Sequence, residues 1–554
     1  MNRPQHQLGV RFLPSLADFA FLLPVVFLFA RMDGTKAMLS DGDTGWHIRT
    51  GEWILANGRV PSIDIFSFSR PGQPWYAWEW LWDVSFALLF RWGGLALVVL
   101  ASILLLCLVF VLLFRLVSRY ATPLVALPVT MTATVASSIH WLARPHLFTL
   151  LFTVLFLWML ELASEGRKRL LWLLPAVTVV WTNLHGGFFV GIILAAGYAG
   201  GEIFRAAVVD DGGQRRRALA EARDYLAAAG ACLVASLLNP YTYKLHRHVI
   251  EYLSDSYQKD HIIEFFSLNF HHPIAPFFES LLLAGAVAAV WHVARGNYRV
   301  AVLLGAWAHA ALLCMRNIPI FAIVVAPFLA PAVEHGLRRL PELPVAGWLR
   351  RLAGGILEAS SGLAEMEAVP RFHLASLLAV GVVAALLNAP APPKRFRPEY
   401  DPKAYPEAAL RALHFGPEAR IFANDEWGDY LIFRLYPTGT KVFVDGRSDF
   451  YGRAFEEKYL DAYFVKYDWE QVLRKYGINT ILLPVDAALA GALKESSRWR
   501  VVYDDGSTLV FRPAAVPGTP VSIAHGDGMG RDREITKTVV RDRAITVTKV
   551  KSKT

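Results

Sequence analysis

The sequence predicts a multi-pass α-helical membrane protein with a small α/β domain outside the membrane. Of its 554 residues, 54% are hydrophobic and only 19% are charged, a composition more apolar than that of ordinary soluble proteins. A membrane-spanning helix needs roughly 20 mainly apolar residues. About eleven stretches approach this length, at 12–30, 94–114, 122–140, 146–163, 170–184, 187–206, 225–239, 277–294, 300–314, 317–333 and 372–389.

The first of these stretches is expected to be an uncleaved anchor, because no small-x-small cleavage pattern follows it. The three cysteines, Cys107, Cys232 and Cys314, all lie in apolar stretches, whereas a secreted disulfide scaffold places paired cysteines in loops. The net charge of +9 is spread over short loops between the apolar stretches. Membrane orientation explains this distribution, so we do not expect nucleic-acid binding.

Basic residues alternate along the chain in a way that predicts orientation. With the N-terminus in the cytoplasm, every internal segment is basic, including Arg167-Lys168-Arg169 and Arg215-Arg216-Arg217, as the positive-inside rule requires. Residues 78–92 are also apolar, but counting them as a span would invert every later loop. We therefore expect an interfacial helix there, with Trp78 and Trp80 at the headgroup level.

Four regions follow from this pattern. Residues 1–389 form the membrane domain, whose first outer loop is 31–93, and the Pro-rich segment 390–402 is a linker. Residues 403–512 are expected to form the outer α/β domain, because short β-type runs alternate with helical stretches. The runs lie at 420–422, 441–444, 480–483, 501–503 and 509–511. The polar segment 513–554 is predicted to be disordered.

The predicted topology places several polar groups at the outer ends of the spans, where they would line one cavity. Ionisable groups at membrane depth are costly, so their gathering on one side favours a functional interpretation. The candidates are Asp41, Asp43, His47, Glu79, Arg144, His146, His185 and Arg316.

Asp43 has two compatible interpretations. It is suited to cap a helix over 44–57, since Asp is a preferred N-cap residue. It is also suited to act as a general base beside Asp41, because a carboxylate outside the bilayer accepts a proton from an acceptor hydroxyl. The pair additionally offers hard oxygen ligands to a divalent cation such as Mg or Mn. We regard Asp43 as the preferred base and Asp41 as the second candidate.

Arg144 needs an anionic partner, because an unpaired guanidinium between two apolar spans would be expensive. A phosphate suits its forked donors, and a structural pair with a carboxylate or carbonyl groups is the alternative. Arg316 is similarly placed. His146 and His185 are candidate donors to the same anion or, alternatively, partners of backbone carbonyls. Glu79 is either a snorkelling interface charge or a further acidic group of the site.

The outer domain contains Asp445, Arg447 and Asp449 in the sequence Val444-Asp-Gly-Arg-Ser-Asp449. Asp-Gly after a β-type run is first of all a turn signal. Sugar or peptide binding by these side chains is the alternative, because loops at strand ends carry function.

An N-terminal span, an outer acidic loop with an interfacial helix, about ten more spans and an outer domain resemble the GT-C superfamily of lipid-phosphate-sugar-dependent glycosyltransferases. The first loop carries the most specific likeness, with Asp43, then Trp46-His47 and the helix end Asn57-Gly58. Pro61 to Ser67, Trp75 to Leu81, Asp425 to Gly428 and Val444 to Arg447 are similar to an uncharacterised bacterial subgroup. Asp43-Thr44 stands where protein mannosyltransferases often have an acidic pair, so acceptor and metal requirement are not implied.

The resemblance implies an inverting hexosyltransferase that uses a polyprenyl-phosphate sugar donor and a first-loop Asp, here Asp43, as base. The acceptor would be a glycan, lipid or protein at the extracytoplasmic face of a bacterial inner membrane. Two other classes stay open: a transporter or flippase of lipid-linked glycans, and a non-catalytic membrane scaffold. A transporter is expected to have polar groups and broken helices near the midplane, and prolines such as Pro24, Pro128 and Pro175 keep it in view.

Overall fold

The computed structural model describes residues 9–514 and 524–525. It is mainly helical, with a small C-terminal sheet, so the predicted class is confirmed at that level. The helices of the N-terminal part are α1 (Leu16–Ala30), α2 (Thr35–Met38), α3 (Asp43–Asn57), α4 (Trp80–Val117), α5 (Pro123–Ser137), α6 (His146–Ser164), α7 (Leu174–Leu184), α8 (Phe189–Val208), α9 (Gly212–Ala235), α10 (Tyr243–Ser254), α11 (Ser256–His261), α12 (Ala275–Val293), α13 (Tyr298–Leu313), α14 (Ile318–Arg339), α15 (Gly347–Glu367) and α16 (Leu374–Leu387).

Six helical segments within the described residues are long and apolar enough to cross a membrane: Trp80–Val117, Pro123–His140, His146–Ser164, Gly186–Val208, Ala275–Val293 and Met315–Glu342. The helices α1, α13 and α16 are apolar but shorter, at 15, 16 and 14 residues. These elements identify a multi-pass membrane protein. The predicted count of about eleven spans is not confirmed; the stretch 170–184, for example, is divided between the end of a 3-10 helix (Lys168–Leu173) and the 11-residue helix α7.

Helix α4 contains a break that separates its first part from the long apolar part. Gly93 and Gly94 leave helical geometry, and Gly94 has a φ of 59°, a backbone conformation that glycine adopts without a Cβ penalty. Residues 80–92 therefore form a separate helical segment that leads into the span, at the position where the sequence predicts an interfacial helix.

The C-terminal part contains α17 (Glu407–Ala412), α18 (Asp425–Leu435), α19 (Ser448–Tyr451), α20 (Arg453–Tyr463), α21 (Trp469–Lys475) and α22 (Ala488–Glu495), with β1 (Ile421–Phe422), β2 (Thr480–Pro484), β3 (Trp499–Asp504), β4 (Thr508–Pro513) and β5 (Ala524–His525). The sheet order is β1-β2-β4-β3-β5. β1 pairs with β2 and β5 pairs with β3 in parallel, while β4 is antiparallel to β2 and β3.

The C-terminal part differs from the predicted pattern of strands at one run. The run 441–444 is not a strand; Val442 makes only isolated bridges to Ser67 of the first loop and to Ile421. The segment therefore connects the first loop to the sheet edge. Most of 513–554 lies outside the described residues, so its predicted disorder has no structural test, and the short strand β5 lies within that segment.

The C-terminal part packs on the end of the helix bundle formed by the start of α4 and by α3. The Phe90 and Phe433 rings meet edge to face, and the Arg49 guanidinium donates to the Phe433 carbonyl at 2.6 and 2.8 Å. Most of the buried apolar residues of both parts form one continuous hydrophobic cluster, and a small second cluster contains Ala96, Val383 and Leu387. The two parts therefore share a core, and their junction covers the first outer loop.

Candidate functional site

The candidate site lies at this covered end of the bundle, where several helices begin or end. Helix α3 starts at Asp43, α4 starts just after Glu79, and Arg144 lies in the turn between α5 and α6. His185 ends α7, and Arg316 lies in the short turn before α14. All eight residues singled out in the sequence lie at this end, as the alternating direction of consecutive helices requires.

The Asp41-Gly42-Asp43 segment turns the chain into α3. The N-cap of that helix is Gly42 and not Asp43, so the predicted capping role for Asp43 is wrong. Asp41 instead accepts the backbone N–H of Asp43 at 2.8 Å, which satisfies one of the free donors of the first turn. The Asp43 carboxylate is left to accept the indole N–H of Trp46 at 3.0 Å and to contact Arg144.

The Arg144 guanidinium joins the two carboxylates. Its Nη1 lies 2.6 Å from Asp41 Oδ2, and its Nη2 contacts Asp43 Oδ2. Burial raises the pKa of Asp41 to about 6; Arg144 opposes this rise and Asp43 adds to it. Of the two alternatives for Arg144, a phosphate or a structural carboxylate partner, the second is present in the structure. Each terminal nitrogen of the guanidinium contacts one carboxylate.

A third carboxylate, Glu264, links Arg144 to Arg316. Glu264 Oε1 lies 3.4 Å from Arg144 Nη1, and its Oε2 lies 2.7 Å from Arg316 Nη2. Burial raises the pKa of Glu264, but Arg316 and Arg144 outweigh it and hold the value at about 2. Sequence reasoning missed Glu264, because it lies in a polar loop with no motif around it. The result is a chain of alternating charges from Asp43 to Arg316.

Glu79 and His185 form a second, looser pair. His185 Nδ1 accepts the Gly187 N–H at 3.0 Å and is 2.7 Å from the Thr149 hydroxyl. Its proton therefore lies on Nε2, which is 4.0 Å from Glu79 Oε1. Burial raises the pKa of Glu79 to about 7, opposed by Arg144. Glu79 can therefore be neutral or charged near neutral pH.

His47 and His146 are both held by protein groups. His47 Nδ1 lies 2.6 Å from Asp83 Oδ1, and its ring stacks on Trp46 at 3.7 Å; burial lowers the pKa of His47 well below its usual value. His146 Nε2 lies 2.8 Å from the His140 carbonyl oxygen, which is the carbonyl alternative raised for this residue. Substrate binding by His47 and by His146 remains a prediction.

The C-terminal part contributes a loop and a helix to the same place. Asp429 of α18 accepts the Gly446 N–H at 2.9 Å, and a Cβ atom at Gly446 would lie 2.5 Å from Asp429 Oδ2 and 3.0 Å from Asp43 Oδ1. Burial raises the pKa of Asp429 well above its usual value, with Asp43 and Asp445 adding to the effect. Sequence reasoning missed Asp429, since a helix-forming pattern surrounds it.

Asp445, Arg447 and Asp449 flank this contact. Arg447 is buried and bonds Asp445 at 2.7 Å and Asp64 of the first loop at 2.9 Å, so its role here is to join the two parts of the chain. Asp449 Oδ2 lies 3.3 Å from His248 Nε2. Within the described residues, no group of three or more His, Cys, Asp or Glu side chains could hold a metal ion, and metal binding at Asp41 and Asp43 stays a prediction.

Comparison with solved structures identifies the architecture. The fold resembles that of the Archaeoglobus fulgidus oligosaccharyltransferase in its apo form, with a TM-score of 0.51 and 12% identity over 87% of this chain and 70% of that one. The Archaeoglobus fulgidus oligosaccharyltransferase AglB in complex with an inhibitory peptide and a dolichol-phosphate gives 0.51 and 12% over 87% and 69%. The complex of the Archaeoglobus fulgidus enzyme with Zn and sulfate gives 0.50 and 11% over 85% and 68%.

No family model matches the chain, and no curated protein matches it. At this level of identity the likeness to the oligosaccharyltransferase is one of fold.

Proposed function

We propose that this protein is an integral membrane glycosyltransferase that moves a sugar or glycan from a polyprenyl-phosphate-linked donor to a glycan, lipid or protein acceptor. The observation that carries the proposal is the contact of Asp43 with Arg144 beside a second basic residue, Arg316, at one end of the bundle. The fold is shared with an oligosaccharyltransferase, one of whose structures holds a dolichol-phosphate and a peptide. The site is assigned to the extracytoplasmic face of a bacterial inner membrane, as the charge pattern of the loops predicts.

Asp43 is the proposed base. An acceptor hydroxyl gives its proton to the Asp43 carboxylate while its oxygen bonds to the anomeric carbon of the donor. The bond from that carbon to the phosphate oxygen breaks, and the lipid phosphate leaves with the electron pair. Attack opposite to the leaving group inverts the anomeric configuration. Asp41, held by Arg144 at 2.6 Å, keeps the guanidinium oriented toward the base.

Arg144 and Arg316 are the proposed partners of the donor phosphate. Both contact Glu264, at 3.4 and 2.7 Å, so an anion already occupies the position between two guanidinium groups. A phosphate has more charge and more acceptor oxygens than a carboxylate. We assign the donor phosphate to the position of Glu264, which would move aside with its loop on donor binding, while His185 and Glu79 contact the sugar.

Transfer from a radiolabelled polyprenyl-phosphate sugar in membranes that contain the protein tests this function. Asp43→Asn removes the proton acceptor at nearly constant volume, and we expect transfer to fall by about two orders of magnitude or more. The matched control is Asp33→Asn, an exposed aspartate of the same loop, which should transfer normally. Equal amounts of both variants in the membrane, measured by immunoblot, exclude a folding defect.

Undiminished transfer by Asp43→Asn would remove Asp43 as the base. Absence of transfer by the unaltered protein, with net movement of the intact lipid-linked glycan across vesicle membranes, would instead favour the transporter.

A further inference from the structure

The opposite end of the helix bundle contains a cavity of about 970 Å³ that the proposed reaction does not use. Its walls come from the start of α1, the end of α4, the start of α5, the end of α14 and the junction of α15 with α16. The first outer loop follows the end of α1 and the Arg144 turn follows the end of α5, so the cavity and the candidate site lie at opposite ends. By the charge pattern of the loops, the cavity faces the cytoplasm.

The charged side chains that line the cavity are mainly basic. Four arginines face two glutamates, giving an excess of two positive charges: Arg115, Arg119, Arg338 and Arg371 against Glu334 and Glu367. Two of the arginines are neutralised by close carboxylates. Arg119 lies 2.6 Å from Glu165, and Arg338 lies 2.7 Å from Glu334. Glu367 lies 3.9 Å from Arg371, so with Glu165 included three carboxylates face the four arginines, and the excess charge belongs to Arg115.

Arg115 has no carboxylate partner within the described residues. Its Nη2 lies 3.4 Å from Nε2 of His373, and a guanidinium only donates, so this ring nitrogen accepts. The other ring nitrogen, Nδ1, lies 3.1 Å from Asp18 Oδ1 and donates to it. The His373 ring thus lies between Arg115 and Asp18, and the Arg115 guanidinium makes no direct contact with a carboxylate among the described residues.

Arg371 is buried, with a side chain only 3% exposed. Its Nη groups donate to backbone carbonyls, at 2.5 Å to Val10 and 2.9 Å to Met366, and Glu367 is 3.9 Å away. Its Nε–H has no hydrogen-bond partner among the described residues. A buried donor without a partner is expensive, and it is a feature that an anionic ligand of the cavity would satisfy.

The surroundings of the cavity are those of a membrane interface. Helix α15 carries charged residues on one side and the exposed apolar side chains Trp348, Leu352 and Met366, and Phe372 beside the cavity is also exposed. An exposed apolar surface next to basic residues is typical of elements that lie at the headgroup level. The cavity therefore adjoins a surface suited to the headgroup level.

We propose that this cavity is a binding site for a phosphate-bearing ligand, held by Arg115 and Arg371 at the end of the bundle remote from Asp43. The ligand chemistry is a phosphate that accepts hydrogen bonds from guanidinium groups. An anionic phospholipid headgroup and a soluble phosphate compound share that chemistry. Binding would fasten α15 and the start of α16 to the ends of α4 and α14, and it is independent of the glycosyltransferase assignment.

The test measures the thermal unfolding midpoint of the purified full-length protein in a non-ionic detergent. The protein is titrated with dihexanoyl phosphatidylglycerol, with dihexanoyl phosphatidylcholine, and with sodium phosphate against sodium chloride of equal ionic strength. We expect phosphatidylglycerol or phosphate to raise the midpoint in a saturable way. Stabilisation by phosphatidylglycerol alone identifies a lipid headgroup; stabilisation by sodium phosphate identifies a soluble ligand.

Arg115→Gln should weaken the apparent affinity for the stabilising ligand about tenfold, the effect expected for a lost charge-assisted contact. Arg371→Gln is the less suitable variant, because this guanidinium also binds backbone carbonyls. The matched control is Arg351→Gln, an exposed arginine of α15 that does not line the cavity, whose titration should be unchanged. Equal affinities of the unaltered protein and Arg115→Gln, or no saturable shift with any of the three ligands, would overturn the proposal.

Discussion

Glu79 shows how burial prepares a single side chain for a role near neutral pH. Its carboxyl is partly buried beside His185, at 4.0 Å, and desolvation raises its pKa to about 7. A carboxylic acid that changes charge in this range is neutral below pH 7 and negative above it. In a site that must accept a phosphate, the neutral form is compatible with the donor and the charged form repels it.

We therefore expect the KM for the lipid-phosphate donor to rise between pH 6.5 and pH 8.5, as Glu79 loses its proton. Glu79→Gln keeps the neutral form at every pH, so its KM should stay nearly constant over the same interval. Steady-state kinetics of both proteins with the radiolabelled donor give the comparison. Asp41, with a pKa raised to about 6, is mainly ionised throughout this interval. The same rise in KM for both proteins would show that another group controls donor binding.

At the residue scale, most ionisable residues of the candidate site could be predicted from the sequence, but their ion-pair and hydrogen-bond partners could not. Asp43, Arg144 and Arg316 lie at one end of the bundle, because hydrophobic periodicity and basic loops define which end of each helix they occupy. Glu264 and Asp429 were missed, since Glu264 contacts Arg144 across 120 residues of chain and Asp429 lies near Asp43 of the first outer loop. Asp43 does not cap the helix, because its carboxylate accepts the Trp46 indole N–H and contacts Arg144 instead.

At the scale of elements, the loop between Val444 and Ser448 brings backbone against the first outer loop. Gly446 lies where a side chain would collide with Asp429 and with Asp43, at 2.5 and 3.0 Å from their carboxylate oxygens. Glycine is needed here for close approach and not for an unusual φ. The Asp-Gly sequence correctly predicted a turn here, but it did not predict that the turn contacts Asp43 of the first outer loop.

Gly446→Ala should therefore displace the Asp429 and Asp43 carboxylates by a few tenths of an ångström or more. We expect kcat for sugar transfer to fall about tenfold, because small misplacements of a reacting group are costly, while the protein still folds. Gly491→Ala is the matched control: Gly491 lies in α22 of the same part, and a Cβ there meets nothing within 4 Å. A kcat for Gly446→Ala equal to that of the control would mean that this contact does not position the base.

Among the elements, the long apolar helices were the easiest to predict, because their composition alone demands a bilayer. The small sheet was harder. Its short strands were mostly located, yet the run 441–444 pairs only through single bridges, one of them to Ser67. A β-type run whose pairing partner lies in the first loop, nearly 400 residues earlier, carries no local signal of that partner.

At the scale of the whole molecule, the C-terminal part is a component of the candidate site and not an appended domain. Arg447 connects it to the first outer loop through Asp64, while Asp445 bonds the same guanidinium and also accepts the Tyr451 hydroxyl at 2.7 Å. All three charged groups are buried. The guanidinium also lies 4.5 Å from the centre of the Trp75 ring, which adds a cation–π contact.

Arg447→Met removes the only cation of this buried group among the described residues and leaves Asp64 and Asp445 facing each other without a partner. Breaking a buried ion pair on one side costs about 3–5 kcal/mol, so we expect a lower unfolding midpoint in detergent and faster proteolysis in the linker 390–402. Arg453→Gln, which breaks an exposed pair with Glu457, should leave both measurements nearly unchanged. If the C-terminal part is joined to the first loop mainly by its apolar contacts, Arg447→Met will unfold like the control. If the buried charges position that part over Asp43, sugar transfer will fall together with the protection of the linker from proteolysis. Adding Asp64→Asn and Asp445→Asn to the Arg447→Met protein will then recover part of the lost stability, because no unpaired buried charge remains.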